Sequence, residues 1–112
     1  MKKIEAIVRP EKLDAVKSAL DKAGIAGLTI TEVRGRGIQK GITYQWKASQ
    51  YTLDLIPKVK IEVVVKDSDE SKVVEAVTTA ARTGAVGDGK IFITDIADVV
   101  RVRTGEKGEK AV

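Results

Sequence analysis

Cysteine and histidine are both absent from this chain, and the two absences remove much of the common chemistry of active sites. Without cysteine there is no disulfide framework and no thiolate to act as nucleophile or metal ligand, a pattern that fits a cytoplasmic location. Without histidine the commonest general base and the phosphohistidine route are gone. Aromatic residues make up only 4% of the sequence, which argues against a surface that stacks single-stranded nucleic acid. No apolar run approaches the ~20 residues needed to span a bilayer. The opening Met1-Lys2-Lys3-Ile4-Glu5-Ala6 carries a carboxylate among its first residues, so no signal peptide is expected.

What is present reads as one domain over residues 1–112, with 43% hydrophobic and 32% charged residues. The net charge is +4, but basic and acidic residues are interleaved, so local patches matter more than the total.

Periodicity outlines the elements. Ile4, Ala6 and Val8 fall on one face of a strand over Lys3–Val8, with Ile7 on the other. Pro10 suits the first turn of a helix that carries Leu13, Val16, Leu20 and Ala23 and stops at Gly24. Leu28–Arg34 is a second strand. Lys58–Val65 alternates through Val59, Ile61, Val63 and Val65, with Val64 interrupting the polar face. Asp67, Ser68 and Asp69 offer N-cap chemistry for a helix with Val73, Val77 and Ala80, stopped by Gly84. Lys90–Ile96 is a strand, and Val99–Val102 a short further one. Two βαβ units joined by a long connection predict an α+β, ferredoxin-like fold: an antiparallel sheet with both helices on one face. Ile7 and Val64 would then lie on the uncovered face, and an apolar residue on each of two strands there points to a further subunit.

The connection from Gly37 to about residue 54 shows no steady period. It is longer than the roughly 12–15 residues that compact domains tolerate without function or disorder. It holds Tyr44, Trp46 and Tyr51, the only Trp and both Tyr residues of the chain. Contact with a partner protein is the expectation for those side chains; a β-hairpin extension packing on itself is the alternative.

The stretch Thr83-Gly84-Ala85-Val86-Gly87-Asp88-Gly89-Lys90 concentrates glycine before a strand. Glycines free the backbone to point N–H groups at an anion, and Lys90 adds a charge. Gly84, four residues, and Gly89-Lys90 match most of a Walker A pattern. Ile91, however, stands where a metal-binding Ser or Thr is required, and a strand follows instead of a helix. From the loop alone, a phosphate cradle and an ordinary glycine-rich helix-to-strand turn both remain open. Other cations gather near glycine: Arg36 and Lys40 in Gly35-Arg36-Gly37-Ile38-Gln39-Lys40-Gly41, then Lys58, and the pair Arg101 and Arg103. On an alternating strand Arg101 and Arg103 would point the same way and favour an anion between them.

With those residues in view, the chain resembles the PII family of nitrogen-regulatory signal proteins from Met1 to about Glu106. The specific pieces are Thr83-Gly84 with Gly87-Asp88-Gly89-Lys90-Ile91-Phe92, Gln39-Lys40-Gly41, Leu55-Ile56-Pro57-Lys58-Val59-Lys60, and Arg101-Val102-Arg103-Thr104-Gly105. The resemblance implies a compact homotrimer, with ATP or ADP bound in clefts between subunits. Residues 82–90 correspond to the family's B-loop, about 37–54 to its mobile T-loop, and about 101–105 to its C-loop. It further implies that Gly87, Asp88, Gly89 and Lys90 hold phosphates and ribose, with Gly35, Arg36, Gly37, Ile38 and Gln39 beside them. Thr29 and Val64 would lie against the adenine, and Arg101 and Arg103 would come from a neighbouring subunit.

The family's second ligand, 2-oxoglutarate, would bind beside Mg²⁺-ATP through Gln39, Lys58 and the backbone of Gly37, Lys40 and Gly41, with Gln39 also on the Mg²⁺. A dicarboxylate beside a triphosphate needs such a bridging cation. The T-loop would be the output toward an ammonium transporter and nitrogen-assimilation enzymes, with Tyr44, Trp46 and Lys47 as contacts. This implies a sensor and no catalyst.

The chain departs from the family at Ile38, often an arginine, whose phosphate contact Arg36 would take over. Lys47 replaces the arginine that relatives insert into a channel pore. Tyr51 and Ser49 match positions that are uridylylated or phosphorylated in some relatives, but Lys47-Ala48-Ser49-Gln50 differs from the usual run before that tyrosine. The alternatives are a ferredoxin-like nucleic-acid-binding module, which would need aromatics on its central strands, and a slow nucleotide hydrolase, for which Asp88 is the one carboxylate in the cradle.

Overall fold

A computed structural model describes residues 1–37, 42–46, 49–53 and 55–112, with the side chains of 42–53 outside the description. Six strands and two helices follow in the order β1 (Lys2–Val8), α1 (Leu13–Lys22), β2 (Thr29–Gly35), β3 (Ile42–Trp46), β4 (Ser49–Leu53), β5 (Ile56–Val65), α2 (Glu70–Ala81) and β6 (Lys90–Asp95). The main sheet has the order β2-β5-β1-β6 and is antiparallel throughout. Two βαβ units interleaved in this way are the ferredoxin-like arrangement the periodicity predicts.

The helix-covered face is the core. Ile4, Ala6 and Val8 of β1 and Val59, Ile61, Val63 and Val65 of β5 are buried, as alternation requires. Val16 and Leu20 of α1 and Val73, Val77 and Ala81 of α2 close over them in one cluster. The apolar positions recur every three or four residues, so each helix presents a single stripe to the sheet. On α2 the buried residue one turn after Val77 is Ala81; Ala80, the expected one, packs at the margin. Burying each large aliphatic side chain is worth roughly 1.5–3 kcal/mol, and this cluster carries the fold.

Helix termini depart from the expectation at one helix and meet it at the other. After α1, Gly24 takes φ +83°, its N–H donates to Asp21 O and that of Ile25 to Leu20 O. This is the left-handed glycine stop that a side chain with a Cβ would resist. At α2, by contrast, Asp67, Ser68 and Asp69 form a 3-10 turn and make no side-chain cap. Asp67 instead pairs with the Met1 ammonium at 2.8 Å. The helix ends at Ala81 because Arg82 is already extended (φ −67°, ψ 131°), two residues before Gly84, the expected stop.

One further expectation is corrected. Val99–Val102 is no strand: one bridge, Val100 opposite Lys107, frames a turn through residues 102–104. The long connection contains the β-hairpin that was the alternative reading, since β3 and β4 form a two-stranded ladder with Tyr44 opposite Tyr51 and Trp46 opposite Ser49. The contacts of those aromatics lie outside the described residues.

The other face of the sheet is uncovered by helix. It presents Lys3, Glu5 and Ile7 of β1, Lys58, Lys60, Glu62 and Val64 of β5, Thr29 of β2, and Lys90 and Phe92 of β6, by register and alternation. Glu5 lies directly opposite Glu62, an arrangement that repels unless neutralised. Lys3 pairs with Glu5 at 3.0 Å and Lys60 with Glu62 at 3.5 Å. The Lys3 hydrogen bond lowers the Glu5 pKa, and the same bond raises that of Lys3.

Because Leu20 is fully buried and also closes the α1 terminus, Leu20→Ala is expected to cost about 2–5 kcal/mol. Urea denaturation checks this: the midpoint should fall with the slope unchanged.

Candidate functional site

Antiparallel pairing brings four chain segments to one end of the sheet. Ile7 lies opposite both Lys60 and Lys90, Val8 opposite Val59, and Gly35 opposite Ile56. The end of β1, the start of β5, the end of β2 and the turn before β6 therefore meet. Between them is a cleft of about 320 Å³ with Ile7, Ile56 and Phe92 as apolar walls and Arg36, Lys58 and Lys90 as cations. Gly35, Gly37, Gly87 and Gly89 complete its backbone lining.

The 83–90 turn is held by its own side chains. The Asp88 carboxylate accepts from the N–H groups of Thr83 and Gly84, each at 2.8 Å, and from the Thr83 hydroxyl. Arg9 adds its Nε at 3.4 Å. The Thr83 hydroxyl and backbone, then Gly84 and Arg9, hold the Asp88 carboxyl well below the usual carboxylate range. Asp88 is thus occupied inside the turn, and its carboxylate shapes the loop.

Two glycines of the turn are constrained to different degrees. Gly89 has φ +106°, and a Cβ there would stand 1.8 Å from the Ile7 carbonyl oxygen. Only a hydrogen fits where the turn joins the strand. Gly87 has φ +101°, and a Cβ there would meet the Arg9 guanidinium at 3.1 Å.

The carbonyls of the turn are also engaged. Arg9 Nη2 donates to Val86 O at 2.7 Å, and Lys58 Nζ donates to Gly87 O at 2.6 Å. Burial in the cleft, followed by the nearby Arg9 charge, pushes the Lys58 pKa down. Every peptide bond described is trans, so each N–H points opposite to its own carbonyl. The N–H groups of Gly87 and Asp88 consequently face away from Arg9 and Lys58, and neither has an acceptor among the described residues. Two successive N–H groups without acceptors, with Lys90 close behind them in the chain, are the ingredients of an anion-binding concavity.

Of the residues expected at the site, Gly35, Arg36, Gly37, Lys58, Gly87, Gly89 and Lys90 line this cleft, with Asp88 behind it. Ile38, Gln39, Lys40, Gly41 and Lys47 lie outside the described residues. Thr29 and Val64 are elsewhere: Val64 is six residues along β5 from Lys58, about 20 Å at strand rise, and Thr29 pairs with Glu62 at that same end. Arg101 and Arg103 follow the Asp95 end of β6, beyond Ile96, whose N–H bonds to Met1 O. They sit in the C-terminal turn and not on a strand, so the argument from alternation fails for them. Arg101 pairs with Glu106 at 3.2 Å and donates to Lys110 O at 3.1 Å. Val102 between them is fully exposed.

From the sequence, neither the Thr83 hydroxyl nor Arg9 was assigned a part in holding the turn. Thr83 was visible as the residue opening the glycine run. Arg9 was legible only as a cation ending β1, because its partners lie 77 and 79 residues away.

Two outcomes test this geometry. Gly84 has open space around it, so Gly84→Ala should cost about 1–2 kcal/mol from its positive φ alone. Gly89→Ala should cost more by denaturation, since the Ile7 strand must move as well. The Asp88 contribution is fully present above the unfolded carboxylate pKa of about 3.9. It is lost only as pH falls toward the lower folded value. A carbon-detected NMR titration should therefore show Asp88 still ionised at a pH where exposed carboxylates have protonated.

Comparison with known proteins places the whole chain. The family model described as nitrogen regulatory protein P-II matches residues 1–106. The chain is 58% identical over 112 residues to nitrogen regulatory protein P-II 2 of Methanothermobacter thermautotrophicus, covering all of this chain and 97% of that protein. It is 55% identical over 112 residues to nitrogen regulatory protein P-II of Azospirillum brasilense and 54% to that of Synechocystis sp., covering 100% of each chain. With the family model matching residues 1–106 and relatives aligned over the full length at more than half identity, this chain belongs to the nitrogen regulatory protein P-II family.

Proposed function

We propose that this protein is a cytoplasmic signalling protein that reads adenine nucleotide and 2-oxoglutarate together and regulates target proteins. One observation carries the reading. The cations and free N–H groups stand at one end of the open sheet face, whereas Thr29, Val64, Arg101 and Arg103 stand at the other. A single chain cannot bring them onto one small molecule across about 20 Å. A second copy can, by laying its far end against the first copy's cleft. A closed ring of such head-to-tail contacts gives a homotrimer with three equivalent sites. The half-buried Ile7 and Val64 and the exposed Phe92 support a covered face.

In this reading the nucleotide phosphates take the N–H groups of Gly87 and Asp88 together with Lys90 and Arg36. The base lies against Ile7 of one subunit and Thr29 and Val64 of the next. Arg103 reaches across to the phosphates, and Arg101 joins it by exchanging its Glu106 and Lys110 partners for phosphate oxygens. Lys58 supplies the counter-charge for a carboxylate of 2-oxoglutarate. Among the described residues no acidic cluster is placed to hold a metal, and Asp88 is already occupied, so Mg²⁺ would arrive on the triphosphate and be shared with Gln39 and 2-oxoglutarate. Residues 37–54 act as the T-loop, whose conformation is the output toward an ammonium transporter or a nitrogen-assimilation enzyme. Tyr44, Trp46 and Lys47 are proposed for contact and Tyr51 and Ser49 for modification. The role is regulatory and not catalytic. The central strands β1 and β5 carry Lys, Glu and aliphatic residues on the open face and no aromatic, which disfavours RNA stacking.

Calorimetric titration of 2-oxoglutarate with Mg²⁺-ATP, with Mg²⁺-ADP and with no nucleotide tests the coupling. Binding should be tightest by at least about tenfold with Mg²⁺-ATP, a coupling of about 1.4 kcal/mol. Equal affinity in all three would sink the reading. Light scattering should give three chains per particle; a monomer would remove the shared site.

A further inference from the structure

We infer that Arg9 is a positioning residue for the anion-binding turn, acting by holding peptide planes and without touching the ligand. The inference rests on the nucleotide reading for its purpose, but on the ligand-free geometry for its substance. One guanidinium spans two groups of the turn: Nη2 donates to Val86 O at 2.7 Å and Nε to the Asp88 carboxylate at 3.4 Å. The Val86 carbonyl and the Gly87 N–H belong to the same trans peptide, so fixing one fixes the other. Lys58 does the same for the next peptide through Gly87 O, which orients the Asp88 N–H.

Two cations hold the consecutive carbonyls of Val86 and Gly87 in a run of glycines, which otherwise permit many backbone orientations at similar energy. Gly87, at φ +101°, is the residue whose freedom needs removing, and a Cβ there would stand 3.1 Å from that guanidinium. Without the clamp the Val86–Gly87 peptide could rotate and present a carbonyl oxygen to the phosphate. An oxygen in place of a donor would turn attraction into repulsion. The two arms differ in kind. Arg9 has a planar fork that serves carbonyl and carboxylate together. Lys58 has one ammonium, which an incoming carboxylate can share or withdraw. Arg9 is therefore the permanent arm and Lys58 the adjustable one.

The test compares the intact protein with Arg9→Met and Arg9→Lys. Methionine keeps much of the stem but cannot donate; lysine can reach one acceptor at a time. In ligand-free protein, amide NMR resonances of Gly87 and Asp88 should move in Arg9→Met, while those of Val16 and Val73 in the core stay. Mg²⁺-ATP affinity should fall about tenfold, the scale of one charge-assisted hydrogen bond. Adenosine affinity should hold, and Arg9→Lys should recover part of both losses. Unmoved Gly87 and Asp88 amides would overturn the positioning role. So would loss of the core resonances, which would make Arg9 a residue of the fold, or an equal loss for adenosine. If the unmutated protein binds no nucleotide, the sensor reading fails, whereas the ligand-free spectra still decide the clamp.

Discussion

Everything at the cleft depends on β1 being hydrogen-bonded on both sides near its end. Ile7 faces Lys60 on one neighbour and Lys90 on the other, and the same carbonyl oxygen of Ile7 is where Gly89 presses its bare α-carbon. A β-ladder repeats every two residues, so a slip of one residue would exchange its faces. The buried stripe Ile4, Ala6 and Val8 forbids that slip. The core of the domain and the position of its anion-binding turn are thus one constraint, expressed on opposite faces of one strand.

Elements built on strong periodicity were legible in the sequence. Both helices, β1, β2, β5 and β6 follow from residues spaced at two or at three and four, and their sheet order follows from two βαβ units. The failures have physical causes. Asp67 looked like a cap because its chemistry suits one, but the Met1 ammonium is a stronger partner for a carboxylate than a neutral N–H. Val99–Val102 has strand composition, yet the Asp98 carboxylate bonds the N–H groups of Val99 and Gly108 and closes a turn. Side-chain competition of that kind overrides propensity. The β3–β4 ladder was legible only as the alternative reading of its segment, because a hairpin with weak alternation leaves no clear period.

At the site, residue types were legible and their meeting was not. Glycines and lysines announced an anion from the sequence alone. That Arg9 should hold the turn required knowing that the end of β1 lies against a segment nearly eighty residues later. Equally, Arg101 and Arg103 read as a ready pair, but one guanidinium is engaged by Glu106 and Lys110 in the same turn. Sequence reports the inventory of charge well; which charges are already spent is a property of the fold.

The uncovered sheet face has a consequence of its own. Away from the cleft, Lys3 pairs with Glu5 and Lys60 with Glu62, and a short distance off the fields of those pairs cancel, while Lys58 and Lys90 keep the cleft end positive. The paired part of that surface exerts little pull from afar. At contact it behaves as a vernier: a facing surface set in the matching position finds each charge answered, and one displaced by a single pair of residues finds lysine on lysine and glutamate on glutamate. Recognition there is enforced mainly by penalty. Whatever covers this face must therefore be aligned before it is held.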